Sequence, residues 1–228
     1  MGKSLKELED AIGYQFNSKE LLTHALTHSS YTNDRKLDKK LCNERLEFLG
    51  DAVLEMISSE YIFINYPEKA EGELTKLRAS LVSEKPLANV AADIGIGNYL
   101  FLGHGEERTG GRTRDSVTSD AVEALLGAIF LDGGIEAAKK FVHSFILNDI
   151  ENKQLFYDSK TVLQEIIQKY HRGTLKYELV SEKGPDHDKK YGMNAVIDGR
   201  VIGYGEGRTK KAAEQEAAYN AIKSINEK

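Results

Sequence analysis

Asn43-Glu44-Arg45-Leu46-Glu47-Phe48-Leu49-Gly50-Asp51-Ala52-Val53-Leu54 is the stretch on which the reading of this chain turns. Glu44, Glu47 and Asp51 stand at i, i+3 and i+7, so a helix carries all three carboxylates on one stripe. Leu46, Leu49, Val53, Met56 and Ile57 form the opposite, apolar stripe. Taken alone, the segment fits an ordinary amphipathic helix with a solvated acidic face, which is the default reading. Phe48 and Leu54 sit awkwardly beside the acidic stripe, and Arg45 is the only basic residue nearby.

A second stretch is harder to treat as a solvated face. Ser119-Asp120-Ala121-Val122-Glu123-Ala124-Leu125-Leu126-Gly127-Ala128-Ile129-Phe130 is apolar almost all round, the pattern of a buried helix. Asp120 and Glu123 share a face with no Lys or Arg between them, and their neighbours Ala124 and Gly127 leave space. Burying even a neutral polar group without a partner costs about 2–7 kcal/mol, and an unpaired carboxylate costs more. A divalent cation is the simplest compensating charge. Glu47 and Asp51 from one helix, packed against Asp120 and Glu123 from the other, form an all-oxygen site. Such ligands favour magnesium or manganese over zinc. The metal could generate hydroxide or stabilise charge on a phosphate in an in-line displacement. The pair His24 and His28 offers a rival metal site, but it lacks the glutamate of the zinc-protease motif. A hydrogen-bonded packing or helix-end role is the stronger reading.

Working outward, helical periodicity covers residues 5–12, 19–26, 44–64, 74–94 and 120–150. Pro67 marks a helix end, and Pro86 fits a first helical turn. Six glycines between 95 and 111 read as a long loop with short turns. Residues 151–159 are polar and break the periodicity, which places a linker there. Beyond it the pattern changes to a helix at 159–170, strands at 175–180, 191–197 and 200–207, and an alanine-rich helix at 209–225. Asp198-Gly199 is a two-residue hairpin signal. Gly203, Gly205 and Gly207 lead to Arg208-Thr209-Lys210-Lys211 at the start of the last helix. Cations there oppose the helix dipole, and a phosphate would pair with the lysines while accepting from the free amides. A solvated charge run is the default for two lysines alone.

The totals agree with two different tasks. The 228-residue chain has a formal net charge of −5, but residues 1–157 carry −7 and residues 158–228 carry +2. A single cysteine, Cys42, excludes an intrachain disulfide and a cysteine-rich zinc site. No window is apolar enough to span a membrane, and the charged start lacks a signal-peptide core, so the expected location is the cytoplasm.

These residues together resemble the ribonuclease III family. The signature spans 43–54. Glu71 in Ala70-Glu71-Gly72-Glu73-Leu74 and the Asp120/Glu123 helix match the other acidic positions, and residues 159–228 resemble a double-stranded-RNA-binding domain. The resemblance implies an all-α endonuclease domain over 1–152, a linker over 153–158 and an α+β domain of α-β-β-β-α order over 159–228. It implies magnesium bound by Glu47, Asp51, Asp120 and Glu123, with manganese able to substitute and no small-molecule cofactor. Asp51 and Glu123 are implied to be catalytic, with Glu44 and Glu71 as accessory acids near the scissile strand and the subunit interface. Thr161, Gln164 and Glu165 match residues that reach one minor groove, His187 a loop residue entering the next, and Lys210 and Lys211 the phosphate contacts between. The implied protein is a homodimer that cuts both strands of duplex RNA, leaving 5′-phosphates, 3′-hydroxyls and short 3′ overhangs in ribosomal-RNA precursors and structured messengers. One departure stands out: Glu214 occupies a place where some such domains carry a third basic residue. A non-catalytic RNA-binding protein and a small-nucleotide phosphohydrolase are the alternatives.

Overall fold

The computed structural model describes residues 4–170, 173–184, 189–207 and 209–226. The chain divides into two compact units, 1–148 and 149–228.

The first unit is helical. It contains α1 (Leu5–Ile12), α2 (Lys19–Ala25), α3 (Ser29–Asp34), α4 (Glu44–Asn65), α5 (Glu71–Val82), α6 (Glu84–Ile94), α7 (His104–Arg108) and α8 (Asp115–Phe145). Short 3-10 turns link α3 to α4 and flank α7. The apolar helix expected at 120–150 starts earlier and stops sooner, and it bends at Gly134, whose φ of 75° lies outside the helical region. It forms the core, with α2, α4 and α6 packed on it. The helical pattern expected over 74–94 is two helices, broken at Ser83. Pro86 supplies the reason: its ring clashes with a continuing helix at Val82 and its nitrogen has no hydrogen to donate. The buried stripe of α4 also differs from expectation. Leu54 is buried, whereas Met56 is 52% exposed.

The second unit contains α9 (Ile150–Lys169), β1 (Leu175–Lys183), β2 (Lys190–Ile197), β3 (Arg200–Gly207) and α10 (Lys210–Asn226). The strands form an antiparallel sheet in the order β1-β2-β3. Asp198 and Gly199 both have positive φ, 47° and 79°, as the hairpin turn between β2 and β3 requires. Residues 151–159, expected as a linker, are helical and belong to α9. They contain neither glycine nor proline, so polarity there marks an exposed helix face rather than a break. Leu163, Ile167, Ala195, Ala217, Ala218, Ala221 and Ile222 make the core. A methyl group on Gly203 or Gly205 would lie 2.3 Å from the backbone of Ala217. The alternating glycines therefore let β3 lie directly on the alanine face of α10, a packing role beyond leading into the lysines.

Candidate functional site

The acidic site is made by the crossing of α4 and α8. A Cβ added at Gly50 would stand 1.8 Å from the Glu123 carbonyl oxygen, and one at Gly127 would stand 2.3 Å from that of Leu46. The two backbones touch at these glycines. Gly127 is thus filled by its neighbouring helix, where the sequence pointed to open space. Glu47 precedes Gly50 by three residues and Glu123 precedes Gly127 by four, so each carboxylate sits one turn from the contact on its own helix. Oxygens of Glu47, Asp120 and Glu123 consequently lie within 4.8 Å of one another. Asp51 is exposed and outside this trio, but its charge acts on both Glu47 and Glu123.

Electrostatics oppose simultaneous ionisation of the whole cluster. Burial, followed by Asp51, Asp120 and Glu47, pushes the Glu123 carboxyl up to about 8. Burial and then the charges of Asp120, Glu44 and Asp51 raise Glu47. Asp120 is raised by burial and by Glu84, against the opposing effects of its Ser119 hydrogen bond and the nearby His28. Among the described residues, none of these carboxylates has a Lys or Arg ion-pair partner. Three hard oxygens within 4.8 Å approach the span of about 4.2 Å between opposite ligands of a magnesium ion. The donor set therefore fits a hard divalent cation.

Other expected residues fall nearby or elsewhere. Glu44 opens α4, exposed, and raises Glu47. Glu71 opens α5, where it accepts a hydrogen bond from the Thr75 hydroxyl at 3.0 Å. It lines a cavity of about 530 Å³ with Phe63, Leu74 and Arg78, and is not one of the converging trio. At that cavity α4 exposes Phe63 (72%) and Ile64 (66%), and about four turns earlier on the same helix it exposes Phe48 (80%). His28 caps α3, its Nδ1 accepting from the Ser30 amide at 3.2 Å. Sequence reasoning missed the influence of His28 and Glu84 on Asp120, because both come from helices outside the acidic motifs. It also missed the touching glycines, although Gly50 and Gly127 stand inside both motifs.

In the second unit Thr161, Gln164 and Glu165 are exposed on α9, and Lys210 and Lys211 are exposed at the start of α10. The Thr209 hydroxyl accepts from the Ala212 amide at 3.1 Å, so one of the amides expected to await a phosphate is already capped. Glu214 pairs with Lys160, which lies over the Tyr177 ring. The Ser159 hydroxyl donates to the Gln215 carbonyl at 2.7 Å, joining α9 to α10. His187 lies outside the described residues.

Comparison with known proteins gives consistent matches. A family model described as Ribonuclease-III-like matches residues 18–150, and one described as Double-stranded RNA binding motif matches 159–225. The chain is 46% identical over 221 residues to a protein of Enterococcus faecalis named Ribonuclease 3, covering 96% of each chain. It is 43% identical over 228 residues to one of the same name from Lactococcus lactis, covering 99% of each. Among solved structures, a nuclease domain of ribonuclease III from Campylobacter jejuni matches with a TM-score of 0.59 and 44% identity. That match covers 63% of this chain and 96% of the solved one, which is described as flexible in a region involved in dimer formation.

Proposed function

The chain belongs to the ribonuclease III family and is a double-strand-specific endoribonuclease; we propose that it hydrolyses duplex RNA with magnesium held by Glu47, Asp51, Asp120 and Glu123. The observation that carries this reading is the convergence of three unpaired carboxylates on one point between α4 and α8. A bound cation would supply hydroxide or stabilise the phosphate during in-line displacement. Glu47, Asp120 and Glu123, which already converge, would hold it, and Asp51, exposed beside them, would complete the set. Products carry 5′-phosphates, 3′-hydroxyls and short 3′ overhangs. Manganese substitutes, and no small-molecule cofactor takes part.

Glu44 and Glu71 are assigned accessory roles. The exposed Phe63 and Ile64, with Glu71 beside them, and Phe48 about four turns earlier on α4 are assigned to a homodimer contact. Residues 1–152 act as the nuclease domain and 159–228 as the RNA-binding domain, with 153–158, the expected linker, forming part of α9 in the second unit. Thr161, Gln164 and Glu165 reach one minor groove, His187 the next, and Lys210 and Lys211 the phosphates between. Such a domain senses A-form shape and 2′-hydroxyls, since side chains cannot read the deep major groove. Ribosomal-RNA precursors and structured messengers in the cytoplasm are the natural substrates. Among the described residues no helix is long and apolar enough to cross a membrane.

The test is incubation of the full chain with perfect duplex RNA, single-stranded RNA and free nucleotides, with and without magnesium, followed by analysis of product ends. Magnesium-dependent duplex cleavage with 5′-phosphate ends is expected. Turnover of nucleotides alone would point to a small-molecule phosphohydrolase, and binding without cleavage to a non-catalytic RNA-binding protein.

A further inference from the structure

Residues 28–42 leave the acidic cluster and come back to it. On the way out, His28 caps α3 and lies near enough to Asp120 to influence its carboxyl. On the return, the Asn43 amide donates to the Thr27 carbonyl at 2.8 Å, and α4 with its carboxylates begins at the next residue. The six residues of α3 span about 9 Å. The far end of the excursion therefore stands about one Debye length from its root at physiological salt.

That far end is cationic. Arg35, Lys36, Lys39 and Lys40 are all exposed. Elsewhere in the unit Lys19, Arg78, Lys85, Arg112, Arg114 and Lys139 are each matched to a carboxylate, while Lys6, Arg45, Lys69, Lys76, Arg108 and Lys140, unmatched among the described residues, are spread singly along the unit rather than gathered in one segment. Among the described residues, none of the four cations at the excursion has an ion-pair partner. The local acids are engaged otherwise: Asp34 accepts from the His104 amide at 2.7 Å, and Asp38 from the Lys40 amide at 2.9 Å. The excursion is also firmly built. Arg35 lies over the Tyr31 ring at 3.7 Å, and Tyr31 packs on Phe101.

Lys36 adds an independent observation. The Leu37 amide donates to the Thr32 carbonyl at 2.9 Å and the Lys36 amide to that of Asn33 at 3.2 Å, the two bonds of a Schellman cap. Lys36 holds the left-handed position of that cap, with φ of 53°. Glycine is the residue this conformation favours. A lysine there sets a cation in place against local backbone preference.

We propose that Arg35, Lys36, Lys39 and Lys40 form a phosphate-binding surface through which the nuclease unit itself holds the backbone of duplex RNA beside the scissile bond. The proposal rests on the nuclease reading above and adds the surface that makes it workable. Residues 1–157 carry a net charge of −7, so the acidic site repels a polyanion until metal binds. A cationic rim on an excursion rooted at the site offsets that repulsion where the strand enters. Phosphate contacts of this kind position the duplex without reading its sequence.

The test uses the full chain carrying Glu123→Gln to stop cleavage, with binding of a perfect RNA duplex followed by fluorescence anisotropy between about 50 and 200 mM salt. Combining Arg35→Ala, Lys36→Gly, Lys39→Ala and Lys40→Ala is expected to weaken binding on the order of tenfold or more near physiological salt. The plot of log affinity against log salt should flatten by about 0.7–0.9 for each phosphate that the variant no longer neutralises. Lys36→Gly alone separates function from folding: its melting temperature should hold or rise by about 1–2 °C while its salt slope falls by the amount expected for roughly one phosphate. In the otherwise native enzyme, the combined change should raise KM, leave kcat near its starting value, and be reversed at low salt. Unchanged affinity and slope in a folded variant would overturn the proposal, as would a weakening equal at all salt concentrations. Failure of the unsubstituted chain to cleave duplex RNA in magnesium would instead overturn the nuclease reading, so the two failures are distinguishable.

Discussion

The two units use the same packing device and opposite electrostatics. In each, glycine lets backbone lie against backbone: Gly50 and Gly127 at the crossing of α4 and α8, and Gly203, Gly205 and Gly207 beneath α10. In the first unit the close crossing draws acids inward, leaving Glu47, Asp120 and Glu123 half-buried and mutually repelling. In the second it leaves a small apolar core of leucine, isoleucine and alanine, and the charges stay outside, with Lys210 and Lys211 at an exposed helix start. Charge held in the interior serves a compact cation. Charge displayed on a surface serves an extended polyanion. The contrast predicts where a substitution will change chemistry, where it will change folding, and where it will change only affinity.

The largest effect belongs to the interior acids. Glu123→Gln keeps the shape and removes one of the three converging carboxylate charges on which the proposed metal site rests. Loss of several kcal/mol of metal-assisted stabilisation lowers cleavage by about 10³-fold or more, while duplex binding stays near the native level. Single-turnover cleavage beside anisotropy measures both, and retained cleavage would show that the buried charge is not the working one.

The same contrast explains what the sequence disclosed. Asp120 and Glu123 were legible because two acids on an apolar helix conflict with local chemistry, and conflicts of that kind mark sites. Glu44, Glu47 and Asp51 were legible as a stripe, though a solvated face gave the same pattern. The hairpin at Asp198-Gly199 was legible because a turn chemistry of two residues is wholly local. The helical run through 151–159 was not, since polarity without glycine or proline distinguishes poorly between a loop and an exposed helix. Nor was the proximity of His28 and Glu84 to Asp120, which depends on how three separate helices pack. The pairing of Glu214 with Lys160 likewise joins residues 54 apart.

Packing supplies the next largest effect. Gly50→Ala forces a methyl group onto the Glu123 carbonyl, so the helices must separate. A cost on the order of 1–3 kcal/mol or more follows, lowering the melting temperature by several degrees. Because the same crossing sets the carboxylates, cleavage should fall further than the loss of folded protein accounts for. Gly205→Ala is the control from the second unit. It meets the Ala217 amide and should melt early too, yet leave per-molecule cleavage of bound duplex unaltered. Equal catalytic losses from the two changes would erase the distinction between the units.

Proton linkage sharpens the comparison without any change of surface. The Glu123 carboxyl lies at about 8 against an ordinary 4.5, so the folded state holds its proton more tightly than the unfolded chain. Its stabilising contribution is present in full below about 4.5 and is lost as the pH rises through about 8. In chelator, the melting temperature of the native chain should therefore decline across this window, and Glu123→Gln should decline less. Magnesium should restore stability at the alkaline end, because a metal binds the ionised cluster. No corresponding slope is expected from Lys210→Ala with Lys211→Ala. Those changes remove exposed cations that oppose a helix dipole, so stability should move by no more than about 0.5 kcal/mol. Binding to unrelated duplexes should weaken alike, with the salt slope flattened by about 1–2.

The smallest effect is the most informative about the surface. Glu214 departs from the basic character of its surroundings, and it is paired with Lys160 across α9 and α10, close to Lys210 and Lys211 in the first turns of the same helix. A half-exposed pair of this kind is worth about 0–1 kcal/mol, so folding does not depend on it. Its effect on a phosphate backbone is larger in proportion. Within a Debye length, one negative charge lowers the attraction of three neighbouring lysines at once. Glu214→Gln therefore releases Lys160 and removes the opposing charge together. Duplex affinity should rise about two- to threefold at low salt, the gain should vanish as salt screens it, and the melting temperature should fall by no more than about 3 °C. If affinity instead falls, Lys160 works by holding α9 against α10 rather than by its charge, and the second unit would resemble the first in depending on an internal pair.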